Sequence, residues 1–183
     1  IVAIFGIILL IAVLINGTEI QSVDEYYLTH IDDITPESET VTISIRCDTI
    51  LDNYDDLDPA LRSEEFVPPD GIILAQTEYV LRPGDTVFDI LDRAARYNKI
   101  QMEYQGADKN SYGSVYVQGI HYLYEFSCGA LSGWMYQVDG EFPNYGCSKY
   151  ELRDGQVIEW VYTCDLGHDV GCEWIEEDVN EGV

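Results

Sequence analysis

Aromatic side chains are the residues of this sequence that are best suited to recognise a ligand. Residues 133–140 read Gly-Trp-Met-Tyr-Gln-Val-Asp-Gly, and further tyrosines lie on both sides of this run. Tyrosine combines an apolar ring with a polar hydroxyl, so it favours binding surfaces over deep cores. The alternative is ordinary packing, since aromatic pairs across neighbouring strands also stabilise a sheet. The predicted ligand-binding residues are Trp134, Met135, Tyr136, Tyr122, Tyr124 and Tyr145.

The polar residues do not indicate catalysis. Covalent catalysis needs a nucleophile with a base placed to activate it. The three histidines, His30, His121 and His168, lie in an acidic segment, between aromatics and in an acidic turn. The residues around Ser132 also lack the Gly-x-Ser-x-Gly spacing of a hydrolase nucleophile. We therefore predict that the chain is not an enzyme.

Calcium is a second ligand that the acidic residues could hold. Residues 165–169 follow the last predicted strand, and the carboxylates of Asp165 and Asp169 could bind it weakly together with backbone carbonyls. The alternative, a turn stabilised by its own backbone, is favoured. Residues 52–69 form another acidic stretch, but Leu57 stands where an EF-hand loop requires glycine. We read that stretch as a solvated loop.

The elements that must hold these residues are mostly strands. Residues 41–47 alternate apolar and polar side chains, which indicates a strand with one buried face. Thr86 and Asp89 predict a capping box for a helix over 87–98. Asp-Gly pairs beside the two aromatic runs predict tight turns in an antiparallel sheet. The order strand, strand, helix, strands predicts an α+β fold, a β-grasp-like mixed sheet with one packed helix. The other predicted strands are 72–81, 101–104, 116–120, 122–126 and the two aromatic runs.

The charge of the chain excludes two classes of partner. The 183 residues include 9 basic and 34 acidic side chains, for a net charge of -25. Binding of phosphates needs basic patches, so nucleic acid is not expected as a partner. An anionic lipid surface would also repel the domain.

The N-terminal residues predict a membrane anchor. Residues 1–15 are apolar on every side, which is typical of a membrane helix, and we read them as a truncated single-pass anchor. A buried core helix is the alternative. No basic residue occurs between this run and Arg46. Because positive charge marks the cytoplasmic side of membrane segments, we expect the rest of the chain on the extracytoplasmic side of the cell membrane. An acidic linker over 16–40, a domain over 41–172 and an acidic tail over 173–183 are expected.

Several of these motifs carry a family resemblance. Residues 82–91, 133–140, 150–155 and 157–162 resemble motifs of the transcobalamin-like C-terminal domain family, in the same order along the chain. The resemblance implies a small bacterial surface domain of β-grasp-like fold. In transcobalamin and intrinsic factor the similar domain helps to enclose cobalamin, so the resemblance implies a corrinoid or another flat ligand. The alternative is a cell-surface module that binds or adheres to a protein or glycan without a small molecule.

The five cysteines are expected to form disulfides outside the cytoplasm. In the β-grasp order the first and last strands are neighbours. Cys47, late on the first strand, is therefore predicted to pair with Cys164, just after the last. Cys128 and Cys147 flank the hairpin that carries the tryptophan, and we predict that they clamp its ends. Cys172 lies outside both pairs.

Overall fold

The computed structural model describes residues 30–172 of the 183-residue chain. The chain divides into two compact units, Ile1–Asp33 and Ile34–Val183, and every helix and strand named below belongs to the second. The predicted anchor over 1–15, most of the predicted linker and the predicted tail lie outside the described residues. Between residues 30 and 172, no helix combines the length and the apolar character that crossing a membrane requires.

The second unit is an α+β structure made mostly of strands, which confirms the predicted class. Part of the stretch predicted as a solvated loop is instead ordered as two short 3₁₀ turns, Tyr54–Asp56 and Pro59–Leu61. The helices and strands are β1 (Thr40–Arg46), α1 (Thr49–Asp52), β2 (Ile72–Val80), α2 (Val87–Asn98), β3 (Met102–Gln105), β4 (Tyr116–Ile120), β5 (Leu123–Tyr124), β6 (Gly133–Val138) and β7 (Val157–Thr163). The 3₁₀ turns are Tyr54–Asp56, Pro59–Leu61, Ala107–Lys109 and His168–Val170.

The strands form two sheets, one with the order β2-β1-β7-β6 and one with the order β3-β4-β5. In the larger sheet β1 runs parallel to β7, and the other pairs are antiparallel. Thr42 lies opposite Val157 and Arg46 lies opposite Val161. The first and last strands are therefore neighbours, as the sequence predicted. Because a hairpin cannot join parallel strands, the chain between β1 and β7 must form a long crossover connection.

The main core lies between the larger sheet and helix α2. Burial alternates along β1, where Val41, Ile43 and Ile45 face inward and the residues between them are half-buried. Helix α2 begins with the predicted capping box, in which Thr86 and Asp89 each accept a hydrogen bond from the other's backbone N–H. The buried side of α2 consists of Val87, Ile90, Leu91, Ala94 and Ala95.

A second, smaller core forms at the end of the sheet where β1 and β7 terminate. It gathers side chains from segments that are far apart in the chain, including helix α1, the loops before and after it, and the end of β7. Trp134 of β6 contacts both this second core and the main core. The buried residues of the second core are Cys47, Ile50, Leu57, Val67, Leu123, Cys128 and Tyr162.

The two Asp-Gly pairs are turns, as predicted. Asp139 and Gly140 have φ angles of 53° and 85°, and two consecutive positive values are typical of the tightest hairpin turns. This turn ends β6. The second pair precedes β7, where the Asp154 carboxylate accepts a hydrogen bond from the backbone N–H of Thr40 at 2.8 Å. The first Asp-Gly pair therefore ends β6 and the second precedes β7. Neither pair joins β6 to β7 directly.

One buried ion pair fastens α2 to the end of β2. Arg93 donates to both carboxylate oxygens of Asp85, at 3.0 and 2.8 Å, and the two side chains are only 12% and 11% exposed. Arg93 also donates to the carbonyl of Val80 at 2.8 Å, and Asp85 accepts from the backbone N–H of Arg82 at 2.9 Å. Removal of either charge would leave the other buried without its partner.

Asp85→Asn is expected to lower the free energy of unfolding by about 3 kcal/mol, because the Arg93 charge stays buried. Arg96→Ala is the matched control on the same helix. It breaks the Arg96–Asp92 pair, in which Arg96 is 76% exposed, and should cost less than about 0.5 kcal/mol. Urea unfolding followed by circular dichroism measures both values. Equal costs would contradict a structural role for the Asp85–Arg93 pair.

Candidate ligand-binding surface

Strand β6 carries three predicted site residues, and its register against β7 decides where each one points. Trp134 lies opposite Tyr162, and Tyr136 lies opposite Trp160. Because side chains alternate across a sheet, Trp134 and Tyr136 share one face, and Met135 lies on the other. Both aromatics pack against the main core. The strand therefore offers its aromatic rings mainly to the protein interior.

Trp134 is half-buried and held by specific contacts. Its Nε1–H donates to the carbonyl of Leu123 at 2.7 Å. Its ring meets the ring of Tyr162 edge to face, with 5.2 Å between the centroids. Such pairs contribute to packing beyond the buried area alone. Trp134 therefore links the two cores, and its contacts are those of a packing residue.

Tyr136 and Tyr145 form one side of a more exposed group. The Tyr136 hydroxyl donates to the carbonyl of Tyr145 at 2.6 Å, and the Tyr136 ring lies 5.5 Å from that of Trp160. Tyr145 itself is 54% exposed. Its ring stacks on Tyr150 with 5.5 Å between the centroids and 10° between the planes. The ring of Tyr136 is packed against the core, whereas the ring of Tyr145 is open to solvent.

A second stacked pair is formed by a tyrosine of the loop before β4 and the first residue of β4. Tyr112 is 69% exposed and stacks on Tyr116, with 5.8 Å between the ring centroids. Tyr116 is the first residue of β4 and is also exposed. We use the name tyrosine surface for the five residues Tyr112, Tyr116, Tyr136, Tyr145 and Tyr150.

The two loops that carry this surface are fastened to each other. The hydroxyls of Ser114 and Ser148 hydrogen-bond at 2.9 Å, and Lys149 Nζ donates to the carbonyl of Tyr112 at 3.1 Å. A Cβ added at Gly146 would lie 2.0 Å from the Ser114 hydroxyl oxygen, so this close approach requires glycine. The exposed tyrosines are therefore presented from a braced backbone.

Two hydroxyls of the tyrosine surface, those of Tyr116 and Tyr136, have raised pKa values. Burial and a hydrogen bond to Glu125 raise the pKa of Tyr116, whose hydroxyl lies 2.5 Å from the Glu125 carboxylate. Burial likewise raises the pKa of Tyr136. The surface thus offers apolar ring faces and hydroxyl groups, which suits recognition by stacking and hydrogen bonding.

Tyr122 and Tyr124 have different surroundings from the tyrosine surface. Tyr122 lies in the tight turn between β4 and β5, is exposed, and meets Phe66 edge to face at 5.6 Å. Tyr124 is half-buried, its ring covers Gly119, and its hydroxyl donates to Glu103 at 2.8 Å. Of the six residues predicted from sequence, Tyr136 and Tyr145 thus belong to one group, and Trp134, Met135, Tyr122 and Tyr124 have other surroundings.

Sequence reasoning did not select Tyr112, Tyr116 and Tyr150. Tyr116 and Tyr150 lie in the same tyrosine-rich half of the chain as the residues that were selected. No local pattern marks Tyr112 as the partner of Tyr116, because a loop of this length has no fixed periodicity. The contact between the loops is a tertiary feature, and no local sequence pattern predicted it.

The predicted calcium turn closes on itself through Asp169. Its carboxylate accepts hydrogen bonds from the Thr163 hydroxyl and from the backbone N–H of Cys164, the latter at 2.7 Å. Asp165 is exposed on the same turn. Within residues 30–172 there is no group of three or more histidine, cysteine or acidic side chains arranged to hold a metal ion. These hydrogen bonds match the alternative that the sequence favoured, a turn stabilised by its own contacts.

Neither predicted disulfide is present, since all five cysteines are described without a sulfur–sulfur bond. Cys147 belongs to the main core, where its thiol contacts the carbonyl of Val115 at 3.5 Å. Cys128 lies in the second core. Cys128 and Cys147 therefore lie in different cores and are not brought together at the ends of β6. Cys47 is fully buried in the second core, and the thiol of Cys164 points toward Thr49 at 3.8 Å.

An open cavity of about 470 Å³ lies at the end of α2, beside β3. None of the six predicted ligand-binding residues lines it, and neither does any residue of the tyrosine surface. Its charged and polar lining consists of Asp92, Arg96, Lys99 and Gln101, and its larger apolar residues are Ile100, Met102 and Tyr104.

Comparison with known proteins finds a family match without an assigned function. Residues 84–164, which is less than half of the chain, match the family model described as a domain of unknown function, DUF4430. The motifs that carry the resemblance to the transcobalamin-like family fall almost entirely within this range. No curated protein matches the sequence.

Haptocorrin is among the solved structures that resemble the chain. Its crystal structure in complex with Cbi matches with a TM-score of 0.42 and 14% sequence identity. The match covers 73% of this chain and 27% of haptocorrin, so the chain spans about a quarter of that protein's length. A TM-score of this size does not by itself establish a common fold.

Trp134→Ala is expected to lower the free energy of unfolding by about 3 kcal/mol, because it opens a void between the two cores. Trp134→Phe keeps a ring but removes the N–H that binds the Leu123 carbonyl, and should cost about 1–2 kcal/mol. Tyr145→Ala is the exposed control and should cost less than about 1 kcal/mol. Urea unfolding tests the three variants. A Trp134→Ala variant as stable as the parent would show that the ring is not needed for packing.

Weak calcium binding by Asp165 and Asp169 stays a prediction with a direct test. Binding to the folded state alone raises the melting temperature. If the turn binds calcium, the melting temperature of the parent chain is higher in millimolar calcium than in chelator, and Asp165→Asn removes that difference. Equal melting temperatures in the two buffers would exclude the site.

Proposed function

We propose that this chain is a binding module and not an enzyme, and that it binds its partner through the tyrosine surface. The observation that carries the proposal is the exposure of Tyr112 and Tyr145, each stacked on a second tyrosine and each presented from one of two braced loops. Exposed aromatic rings of this kind mark interaction sites in soluble domains. Rings that are already ordered lose little conformational freedom on binding.

The surroundings of Ser132, a buried serine just before β6, support the proposal that the chain is not an enzyme. Ser132 donates to the carbonyl of Gly129 at 2.8 Å, and it accepts from the Tyr162 hydroxyl and from the backbone N–H of Cys128, both at 3.0 Å. These bonds occupy the hydroxyl with structural contacts. His121 Nε2 bonds to the carbonyl of Glu65 at 2.8 Å, so this ring nitrogen is also occupied by a structural contact.

The best-supported partner is an extended one, a surface protein or a glycan. Small ligands usually lie in clefts that bury most of their surface. Tyr112 and Tyr145 are 69% and 54% exposed, which indicates an open face. A net charge of -25 further favours a neutral or cationic partner over an acidic one. We propose that the module acts on the extracytoplasmic side of a membrane, in keeping with the apolar run over 1–15 and the acidic residues that follow it.

A flat small ligand, such as a corrinoid, is the second candidate. The two stacked tyrosine pairs favour it, because a flat conjugated ring could extend either stack. The motif resemblance to the transcobalamin-like family points to the same class of ligand. An open surface gives such a ligand contacts on one side only, so we expect the affinity of this chain alone to be modest.

The double variant Tyr112→Ala/Tyr145→Ala is expected to weaken binding at least tenfold, with a melting temperature close to that of the parent. Tyr97→Ala is the matched control. Tyr97 is 59% exposed and stacks on Tyr79 at 6.2 Å. It lies ten residues along α2 from Val87, whose N–H binds the carbonyl of Tyr150, and is therefore about 15 Å from that contact along the helix axis.

Two binding assays separate the candidate partners. Tryptophan fluorescence is titrated with cobalamin and related corrinoids, with correction for inner-filter effects. Immobilised glycans and purified surface proteins are screened in parallel with the labelled domain. Saturable binding that the double variant loses and Tyr97→Ala keeps supports the proposal and names the class of partner. Binding that the double variant retains in full places the site elsewhere and contradicts it.

A further inference from the structure

The second core brings together two cysteines that the sequence assigned to different partners. Cys128 precedes β6, and Cys164 follows β7 directly. Cys128 is buried in this core and Cys164 packs against it. Each thiol contributes to the pKa shift of the other, so the two side chains lie near each other. The two thiols are therefore neighbours within one core of the folded chain.

Independent contacts place both sulfurs beside helix α1 and its C-terminal cap, Asn53. Cys164 Sγ lies 3.8 Å from the Thr49 hydroxyl, and Cys128 Sγ lies 3.3 Å from the carbonyl of Asn53. Asn53 in turn donates from its side chain to the carbonyl of Thr49 at 2.8 Å. Both thiols therefore contact the same short segment, 49–53, which places them near each other.

The backbones that carry the two cysteines are also fastened to each other. The N–H of Leu166 donates to the carbonyl of Leu131 at 2.9 Å. The Tyr162 hydroxyl donates to Ser132 Oγ at 3.0 Å, and Ser132 Oγ also accepts from the N–H of Cys128. A covalent bond between the sulfurs would therefore join segments that are already held side by side. Disulfides form without strain only where the backbone allows their narrow geometry.

We propose that Cys128 and Cys164 form a disulfide when the folded chain meets an oxidised disulfide compound such as oxidised glutathione. In the first step the Cys164 thiolate attacks the glutathione disulfide, forms a mixed disulfide and releases one reduced glutathione. In the second step Cys128 attacks the Cys164 sulfur and releases the second. The two cysteine thiols lose two protons and two electrons, and the glutathione disulfide takes up both.

The order of these steps follows from exposure. Cys164 is half-buried, whereas Cys128 is 2% exposed, so an external disulfide reaches Cys164 first. Burial and the neighbouring Cys128 raise the pKa of Cys164 to about 12. Because the thiolate is the attacking species, little of it is present at neutral pH, and we expect oxidation to take hours.

The bond would fix the loop before β6 to the turn after β7. It would close a long loop of the chain, including β6 and β7, and such cross-links stabilise mainly by restricting the unfolded chain. We expect the melting temperature of the oxidised chain to be about 10 °C above that of the reduced chain. This inference concerns the second core and does not depend on what the tyrosine surface binds.

The test is peptide mapping of the folded chain after incubation with a mixture of oxidised and reduced glutathione. Remaining thiols are alkylated in denaturant, and the chain is cut before each aspartate. This cleavage puts every cysteine in its own peptide, namely 33–47, 108–138, 139–153, 154–164 and 169–177. The expected product is peptide 108–138 joined to peptide 154–164, two hydrogens lighter than the sum of the two reduced peptides.

Other outcomes overturn the proposal. These are a link from 154–164 to 33–47 or to 169–177, a link from 108–138 to 139–153, and complete alkylation of Cys128 and Cys164 in a chain that stayed folded. Cys147→Ser is the matched control, because Cys147 lies in the main core, and this variant should keep the link and the rise in melting temperature. Cys128→Ser should lose both, and if it does not fold, the parent chain alone decides the question.

Discussion

The parallel pairing of β1 with β7 is the constraint on which the rest of the structure depends. It places the first and last strands at the centre of the larger sheet, so that Ile43, Ile45 and Ile158 share one core. Because parallel strands need a crossover, the connection between them has to carry α2 and the smaller sheet. The same pairing brings the ends of both strands together, and the second core forms there around Cys47 and Tyr162.

The tyrosine surface forms where two loops of the chain between β1 and β7 meet. Its two loops meet where Gly146 approaches Ser114, at a distance that leaves no room for a Cβ. The contact is braced by the hydrogen bond between the Ser114 and Ser148 hydroxyls and by the one from Lys149 to the Tyr112 carbonyl, so the exposed tyrosines are not on free loops. Ordered, exposed rings bind at a lower entropic cost than rings that must be ordered on contact. This is why the surface suits recognition better than the packed ring of Trp134.

The accuracy of the sequence reasoning differed between features for physical reasons. The alternation along β1 and the capping box of α2 are local patterns, because each depends on residues at most a few positions apart. Both are found as predicted. The predicted Cys128–Cys147 pair assumed that the two ends of one hairpin bring their thiols together. The predicted Cys47–Cys164 pair assumed that the same holds for the ends of two neighbouring strands. In the structure, the side-chain direction at each strand end depends on its loop, and Cys147 points into the main core while Cys128 points into the second.

The sequence by itself determined the α+β class, the capped helix and the adjacency of the first and last strands, because periodicity and element order limit how the chain can bury its apolar residues. It also determined that the second half is rich in tyrosine. Only the tertiary structure decided which tyrosines share a surface and which cysteines lie in the same core. Those contacts join residues that lie far apart in the chain, and they depend on strand register and loop closure, which no local pattern encodes.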